Sequence, residues 1–209
     1  MRETAAAGPR PYHHGDLRRA LIDAARRLLE SEGPTALSLR AVAREAGVSP
    51  AAPYHHFKDK SELLDAVAAE GWELLNEKMT AARTAESSLS GKLASLGVAY
   101  VRFARDNPAL YRVMYDASRD KEGLPEHVHQ DEDSAYCQVR NTLVEAGVDP
   151  LDDVDLELAT TAAWAAAHGL AEMVAFKQFQ PLKDALGGED AFLRGVFEHL
   201  GVFALSRRG

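Results

Sequence analysis

A run from Leu37 to Leu64, Leu-Ser-Leu-Arg-Ala-Val-Ala-Arg-Glu-Ala-Gly-Val-Ser-Pro-Ala-Ala-Pro-Tyr-His-His-Phe-Lys-Asp-Lys-Ser-Glu-Leu-Leu, concentrates small residues, an aromatic hydroxyl, imidazoles and cations. Ser49, Pro50, Ala51 and Ala52 allow close approach. Tyr54, His55 and His56 carry hydrogen-bonding rings, and Lys58 and Lys60 add positive charge. Cations meet phosphates, and small or hydrogen-bonding side chains meet base edges in a groove. Nucleic-acid reading is the chemistry this stretch is equipped for.

Two other constellations bear on catalysis or metal binding. In Glu126-His127-Val128-His129-Gln130-Asp131-Glu132-Asp133 the histidines are two apart. That spacing puts them on opposite sides of a helix, so they would chelate only from an extended loop. The plainer reading is a solvated, charged helix start. Cys137 with a distant histidine can be drawn as a nucleophile pair, but no nucleophile signature surrounds it, and a small buried thiol is the default. With no phosphate-cradling glycine loop in the sequence, the expectation is no enzyme, no cofactor and no metal.

The elements that must position the reading surface follow from spacing. Leu39, Val42, Ala43 and Ala46 recur at helical period, predicting a short helix from about Leu39 to Ala46, a turn at Gly47 and a second helix from Pro50 to about His56. Ser38 and Ser49 stand where N-caps belong. Gly47 suits the left-handed conformation that ends the first helix. Two helices joined by such a turn make a helix-turn-helix, whose second helix lies in the major groove. Val48 and Phe57 bracket that helix and fall on the same core. A preceding helix, about Leu17 to Ser31, carries the stripe Leu17, Ala20, Leu21, Ala24, Ala25, Leu28 and Leu29 until Gly33-Pro34 stops it. Arg18, Arg19, Arg26 and Arg27 face out, mostly as a solvated face. Residues 1–15 read either as a basic arm that follows DNA or as a tail that caps the first helix.

The run Ala43 to Phe57, with Gly-Val-Ser, then Tyr-His-His-Phe, then Lys-Asp-Lys-Ser-Glu-Leu-Leu, resembles the DNA-binding domain of the TetR family of bacterial transcriptional regulators. The resemblance covers roughly Tyr12 to Leu75. It implies that Arg40, at the start of the unit's first helix, also reaches a base or phosphate. The family often carries Leu, Ile or Val where this chain has Pro53. Proline there removes the amide bond back to the Ser49 carbonyl, tightening or displacing the start of the recognition helix.

The remainder reads as helix without strand-like alternation or internal repeat. A helix from about Ser61 to Ala82 carries Leu64, Val67, Gly71, Leu74, Leu75 and Met79 on one stripe. The family resemblance implies that this helix swings the reader when the body changes shape. Further helices follow from about Leu89 to Arg105, after Asn107-Pro108, up to about Ala146, and beyond Asp149-Pro150, where Asp152, Asp153 and Asp155 favour the positive helix end. Leu158 to Ala171 is uncharged and apolar on every face, which predicts a helix buried all round. A last helix carries Phe192, Leu193, Val196, Phe197, Leu200 and Phe203. Two such helices can pack against their copies as a four-helix seam, the arrangement TetR-like proteins use, with Ala163, Ala167, Leu193, Val196, Phe197 and Leu200 as seam candidates.

Within that uncharged helix, Trp164-x-x-x-His168-Gly169 resembles the signature of a TetR subgroup whose C-terminal domain is described by its Trp-His-Gly motif. The i, i+4 spacing puts indole and imidazole on one face. They either line a ligand cavity with Tyr100, Phe103, Tyr111, Met114 and Tyr115, or are core, with His168 satisfied by a backbone carbonyl or a tyrosine hydroxyl.

Charge fits this division. The net charge of the 209 residues is −8, yet residues 1–60 hold ten Lys and Arg against seven Asp and Glu, and residues 61–209 hold 14 against 25. A basic end on an acidic body presents only the first module to phosphate. One cysteine excludes an internal disulfide, and no stretch reads as a membrane span or signal peptide, so a cytoplasmic location is expected. The expected architecture is all-α with about nine helices: a three-helix helix-turn-helix domain over 1–60 and a helical ligand-binding and dimerisation domain over 61–209. The expected function is that of a homodimeric regulator, most simply a repressor released from a palindromic double-stranded DNA operator by a small, mostly apolar effector. Its rivals are a regulator that senses a protein partner or nothing, and a helical enzyme with an incidental helix-turn-helix.

Overall fold

The computed structural model describes residues 14–119 and 131–206, with side chains over 17–117 and 131–201. Those residues form nine α-helices and two short 3-10 helices, with no strand among them. In chain order the α-helices are α1 (His14–Glu32), α2 (Leu39–Glu45), α3 (Lys60–Thr84), α4 (Leu89–Asp106), α5 (Pro108–Arg119), α6 (Ala135–Glu145), α7 (Asp153–Met173), α8 (Gln180–Leu186) and α9 (Glu189–Ser206). The 3-10 helices are Ala52–His55 and Lys177–Phe179. Backbone packing divides the chain into two compact units, Met1–Val67 and Ala68–Gly209, and the division falls inside α3.

In the first unit, Leu21, Ala24, Ala25, Leu28 and Leu29 of α1 are buried with Leu39, Val42 and Ala43 of α2 and with Phe57 and Leu63. Side chains at i, i+3 and i+4 share one helix face, so the α1 stripe meets α2 as a continuous apolar surface. Ile22, outside the predicted stripe, is buried as well. Ser38 caps α2, its Oγ accepting from the Ala41 amide at 3.1 Å. Gly47 takes φ +71°, a conformation that costs a side chain with a Cβ roughly 1–2 kcal/mol.

The second unit is organised on α4, which packs against α9, α7, α6 and α5. Leu96, Tyr100, Val101 and Phe103 are buried along it, in one core with Leu143 of α6, Leu156 of α7, Leu193 of α9 and Met114 of α5. α9 comes close because Gly97 leaves room: a Cβ built there would lie 2.5 Å from the Phe197 ring. Two expectations are corrected. α7 is not buried all round, since Leu156, Thr160, Ala167 and Leu170 turn inward while Val154 is 71 % and Leu158 65 % exposed. The predicted α3 stripe omitted Trp72, a side chain only 1 % exposed.

Candidate nucleic-acid interface and ligand cavity

The reading surface begins with the short segment after Gly47. It is a 3-10 helix over Ala52–His55 rather than an α-helix from Pro50 to His56. Pro53 has no amide hydrogen, and the Ser49 carbonyl accepts instead from Ala52 at 3.0 Å, one residue early. Tyr54 donates to Ala51 at 3.2 Å and His56 to Pro53 at 2.9 Å, completing an i to i+3 pattern. Ser49 therefore does not cap by its side chain; the cap position belongs to Ala51. Pro53 itself is buried, so the ring that tightens the segment also anchors it.

What the tightened segment leaves outward is Tyr54, 54 % exposed, with exposed Ser49, Pro50, Ala51 and His55; Ala52 and His56 are half-buried. Arg40, at the start of α2, is exposed, as is Lys58. Lys60 is exposed too, but its ammonium donates to the Pro34 carbonyl at 3.0 Å, where it closes the turn after α1. At the start of α3, Asp59 accepts from the Glu62 amide at 3.0 Å while Glu62 accepts from the Lys58 amide at 2.6 Å, a reciprocal cap that fixes the Lys58 backbone. Two α1 arginines assigned to a solvated face do more. Arg18 lies over the Phe57 ring at 5.4 Å, and Arg27 pairs with Glu45 at 2.9 Å. Neither partnership has a sequence signal, because each joins residues far apart in the chain.

The second unit holds a cavity of about 700 Å³. Leu93, Leu96, Gly97 and Tyr100 of α4 form one wall, Val139 and Leu143 of α6 another, and a run of α7 from Asp155 to Ala167 with Phe197, Leu200 and Gly201 of α9 completes it. Small residues make this space: Ala159, Ala162, Ala163, Ala166 and Ala167 line it where larger side chains would fill it. Of the seven ligand candidates, Tyr100 and Trp164 line the cavity. Phe103 and Met114 are core, at 1 % and 0 % exposure.

Tyr111, Tyr115 and His168 lie behind the cavity lining in a polar cluster centred on Tyr100. Tyr111 Oη is 2.6 Å from His168 Nδ1, and Tyr100 Oη is 3.1 Å from Tyr111 Oη and 3.2 Å from the same Nδ1. Tyr115 bonds Tyr100 through their hydroxyls, and the Trp164 indole bonds Tyr115. One assignment gives each of these protons an acceptor: Trp164 Nε1–H to Tyr115, Tyr115 to Tyr100, Tyr100 to Tyr111, and Tyr111 to Nδ1 of a His168 protonated at Nε2. Burial, reinforced by neighbouring hydroxyls, holds Tyr100 far above the usual phenol value; burial also raises Tyr111 and pushes Tyr115 up to about 12. Trp72 stacks on Trp164 at 6.3 Å and meets Tyr115 edge-on at 5.5 Å, closing the cluster from α3.

The six seam candidates separate by burial. Leu193, Phe197 and Ala167 are at 0 %, 8 % and 6 % exposure inside the single chain. Ala163 and Val196 are half-buried, and Leu200 is 42 % exposed. No group of three or more His, Cys, Asp or Glu able to hold a metal occurs among the described residues, and the His127 and His129 pair lies outside them, as does the arm before His14. Cys137 is half-buried on α6 rather than fully buried.

Known proteins share both units. Residues 21–67 match the profile described as bacterial regulatory proteins, tetR family, and residues 93–196 match the tetracyclin repressor-like C-terminal domain. The chain belongs to the TetR family. A protein of unknown function from Rhodococcus sp. RHA1 is 31% identical, with 92% of this chain and 96% of that one covered and a TM-score of 0.73. A tetR-family regulatory protein from Rhodococcus RHA1 is 24% identical over 92% and 97% of the chains, TM-score 0.62. The TetR family regulator PfmR of Thermus thermophilus is 21% identical over 85% and 94%, TM-score 0.58. This TetR protein is thus a DNA-binding transcriptional regulator and not an enzyme. No helix among its described residues is long and apolar enough to cross a membrane.

Proposed function

We propose that this regulator is a cytoplasmic, homodimeric repressor whose hold on a near-palindromic operator is released by a small, mostly apolar ligand. The observation that carries the reading is the cavity of about 700 Å³ in the second unit, walled mostly by carbon. Its size and lining are those of small-molecule sites, about 300–1,000 Å³ and mostly apolar. Residues 1–60 supply the operator contacts. Tyr54, His55 and the small residues Ser49 to Ala52 read base edges, with Arg40 and Lys58 on phosphates or bases. Residues 61–209 hold the ligand and the partner subunit. The seam is the outward face of α7 and α9, where Leu158 and Leu200 remain exposed in the single chain.

Release needs no chemistry. A ligand shifts the equilibrium by binding the conformation that does not fit DNA more tightly than the one that does, and such couplings are typically about 1–3 kcal/mol, or 5- to 150-fold in affinity. Trp164 and Tyr100 belong to both the cavity lining and the hydrogen-bond chain, so an occupant that moves either must disturb the cluster behind. The test is binding to the DNA upstream of its own gene, by fluorescence anisotropy, with and without candidate apolar ligands. Affinity should fall at least about fivefold with an effective ligand. The same ligand should lose its effect on the Ala159→Phe variant, whose added ring fills the cavity from a lining position that is not a seam candidate. A normal response from that variant would show that the cavity is not the sensor.

A further inference from the structure

We infer that Pro53 sets the spacing of the bases that the reader discriminates: each half-site carries a thymine met by the Ala51 methyl, two base pairs from the pair selected by the Tyr54 hydroxyl. This rests on the operator-reading role given to these residues above and extends it to the content of the half-site. Pro53 is buried, so it acts as a positioning residue, through the backbone. The segment closes by three i to i+3 bonds. The Ser49 carbonyl accepts from the Ala52 amide at 3.0 Å, the Ala51 carbonyl from Tyr54 at 3.2 Å and the Pro53 carbonyl from His56 at 2.9 Å. Once Pro53 is passed the chain resumes α spacing, the Phe57 amide also donating to the Pro53 carbonyl at 2.9 Å. In a 3-10 helix side chains at i and i+3 eclipse, which makes three rows, and burial follows them. Ala51 and Tyr54 are both exposed, Ala52 is half-buried with His55 exposed, and Pro53 is buried with His56 half-buried. The outermost row is therefore Ala51 and Tyr54.

Three residues of 3-10 helix rise about 6 Å and stay in line, whereas three of α-helix rise about 4.5 Å and turn about 60° out of line. Two steps of duplex span about 6.8 Å, at about 3.4 Å each. A row of about 6 Å laid along the major groove thus meets base edges two steps apart, and α spacing falls between one step and two. An amide at position 53 would let the Ser49 carbonyl accept from i+4 and relax the row toward that second geometry. The two side chains also differ in what they read. Ala51 offers only a methyl, and among the four bases thymine alone presents a methyl in the major groove for it to meet. Tyr54 carries a hydroxyl that donates and accepts, so it discriminates by the polar pattern of an edge. Neither carries charge, so the row contributes preference, while sequence-independent hold falls to cations such as Lys58.

The full-length protein is used to select duplexes from a random library, and the preference at each position of the half-site is then measured by competition with single-base variants. The parent should prefer thymine at one position and a defined base two pairs away, a wrong base at either costing at least about fivefold in affinity. Ala51→Gly should flatten the preference for thymine and leave the other position. Tyr54→Phe should do the reverse, so the two positions are located independently of each other. Pro53→Leu, with its fold checked by circular dichroism, should move the two preferences off their spacing of two pairs. Its binding to unrelated duplex should stay within about twofold of the parent, because phosphate contacts carry no sequence information. A merely structural role for Pro53 would lower the melting temperature and every affinity together without moving the positions. Should Pro53→Leu fail to fold, Pro53→Ala restores the same amide with a smaller side chain and gives the same readout. Preferences assigned to Ala51 and Tyr54 at any separation other than two pairs, a base other than thymine at the first, or a folded Pro53 variant with the parent spacing overturns the inference and leaves the reader standing. A parent that enriches no sequence overturns the operator reading itself.

Discussion

At the scale of single residues the reading surface separates into groups that act through sequence and groups that act through charge. Tyr54 is exposed with one hydroxyl on a rigid ring, whereas Lys58 brings a flexible cation on a backbone pinned by Glu62. Tyr54→Ala should weaken operator binding much more than binding to unrelated DNA. Lys58→Ala should weaken both and, by giving up one phosphate, reduce the salt slope by about 0.9. Titrations of both variants against specific and nonspecific duplexes at several salt concentrations check this, and an unchanged slope removes Lys58 from the interface. In the body, the Tyr111 hydroxyl bonds His168 Nδ1 at 2.6 Å, and truncating the histidine leaves that buried hydroxyl without this partner. His168→Ala should cost about 1–3 kcal/mol of stability, seen as a lower denaturation midpoint. The three clustered tyrosines give a second readout at high pH. Their folded-state values are raised, so the stability they contribute is complete below the ordinary phenol range near 10 and declines as pH rises above it. Tyrosinate absorbance from these residues should therefore appear together with unfolding in an alkaline titration. Ionisation while the circular dichroism stays native would show that the cluster is open to solvent. Pairing of this kind is only half legible in sequence: Trp164 and His168 share a helix face by spacing, but which tyrosine satisfies the histidine depends on how α4, α5 and α7 meet.

Elements are more legible than the packing between them, because helix periodicity and caps are local. Ser38 as a cap, Gly47 as a left-handed turn and the apolar stripe of α1 all follow from neighbours within a few residues. The recognition segment shows where local rules compete. Periodicity asks for an α-helix from Pro50, and Pro53 withholds the amide that helix needs, so the segment closes as a 3-10 helix. α7 shows the opposite failure. An all-apolar run predicts cover on every side, but cover comes from whatever is nearby, and one chain covers only one side. The close approach of α4 and α9 has no sequence signal, since Gly97 is an ordinary mid-helix glycine until Phe197 is seen against it. A Cβ there would meet an aromatic ring at 2.5 Å, so the ring must swing into the cavity that both residues line or the two helices must part. Gly97→Ala should cost about 1–3 kcal/mol despite alanine's better helix propensity. Phe197→Leu should relieve part of that cost, so the two changes should be measurably non-additive in denaturant unfolding. Simple additivity would mean that the helices separate easily at this point.

For the molecule as a whole, the outer face of α7 and α9 decides what a lone chain still lacks. Val154, Leu158, Met173 and Leu200 are 71 %, 65 %, 41 % and 42 % exposed, large apolar side chains that these two helices leave in contact with water. The proposed second copy covers them, and the burial pattern sharpens the test. Phe197 and Leu193 already lie inside the chain, so a charge at Phe197 would unfold the protomer and say nothing about assembly. Leu158 is different. In a single chain Leu158→Asp places a charge in water and should leave the stability of a monomer within about 1 kcal/mol, as surface changes do. In a dimer the same charge is buried at the seam, where it has no partner and its transfer is strongly unfavourable. Light scattering should then report a dimer for the parent and a folded monomer for the Leu158→Asp variant. The operator provides the matching observation, because a two-fold symmetric pair of readers contacts half-sites about 34–36 Å apart, or a multiple of that spacing. The monomeric variant should keep its nonspecific DNA binding per reader and lose the protection of the second half-site in a footprint. A parent protein that is monomeric at micromolar concentration, or a variant that protects both half-sites as before, would place the partner elsewhere and leave this face for some other occupant.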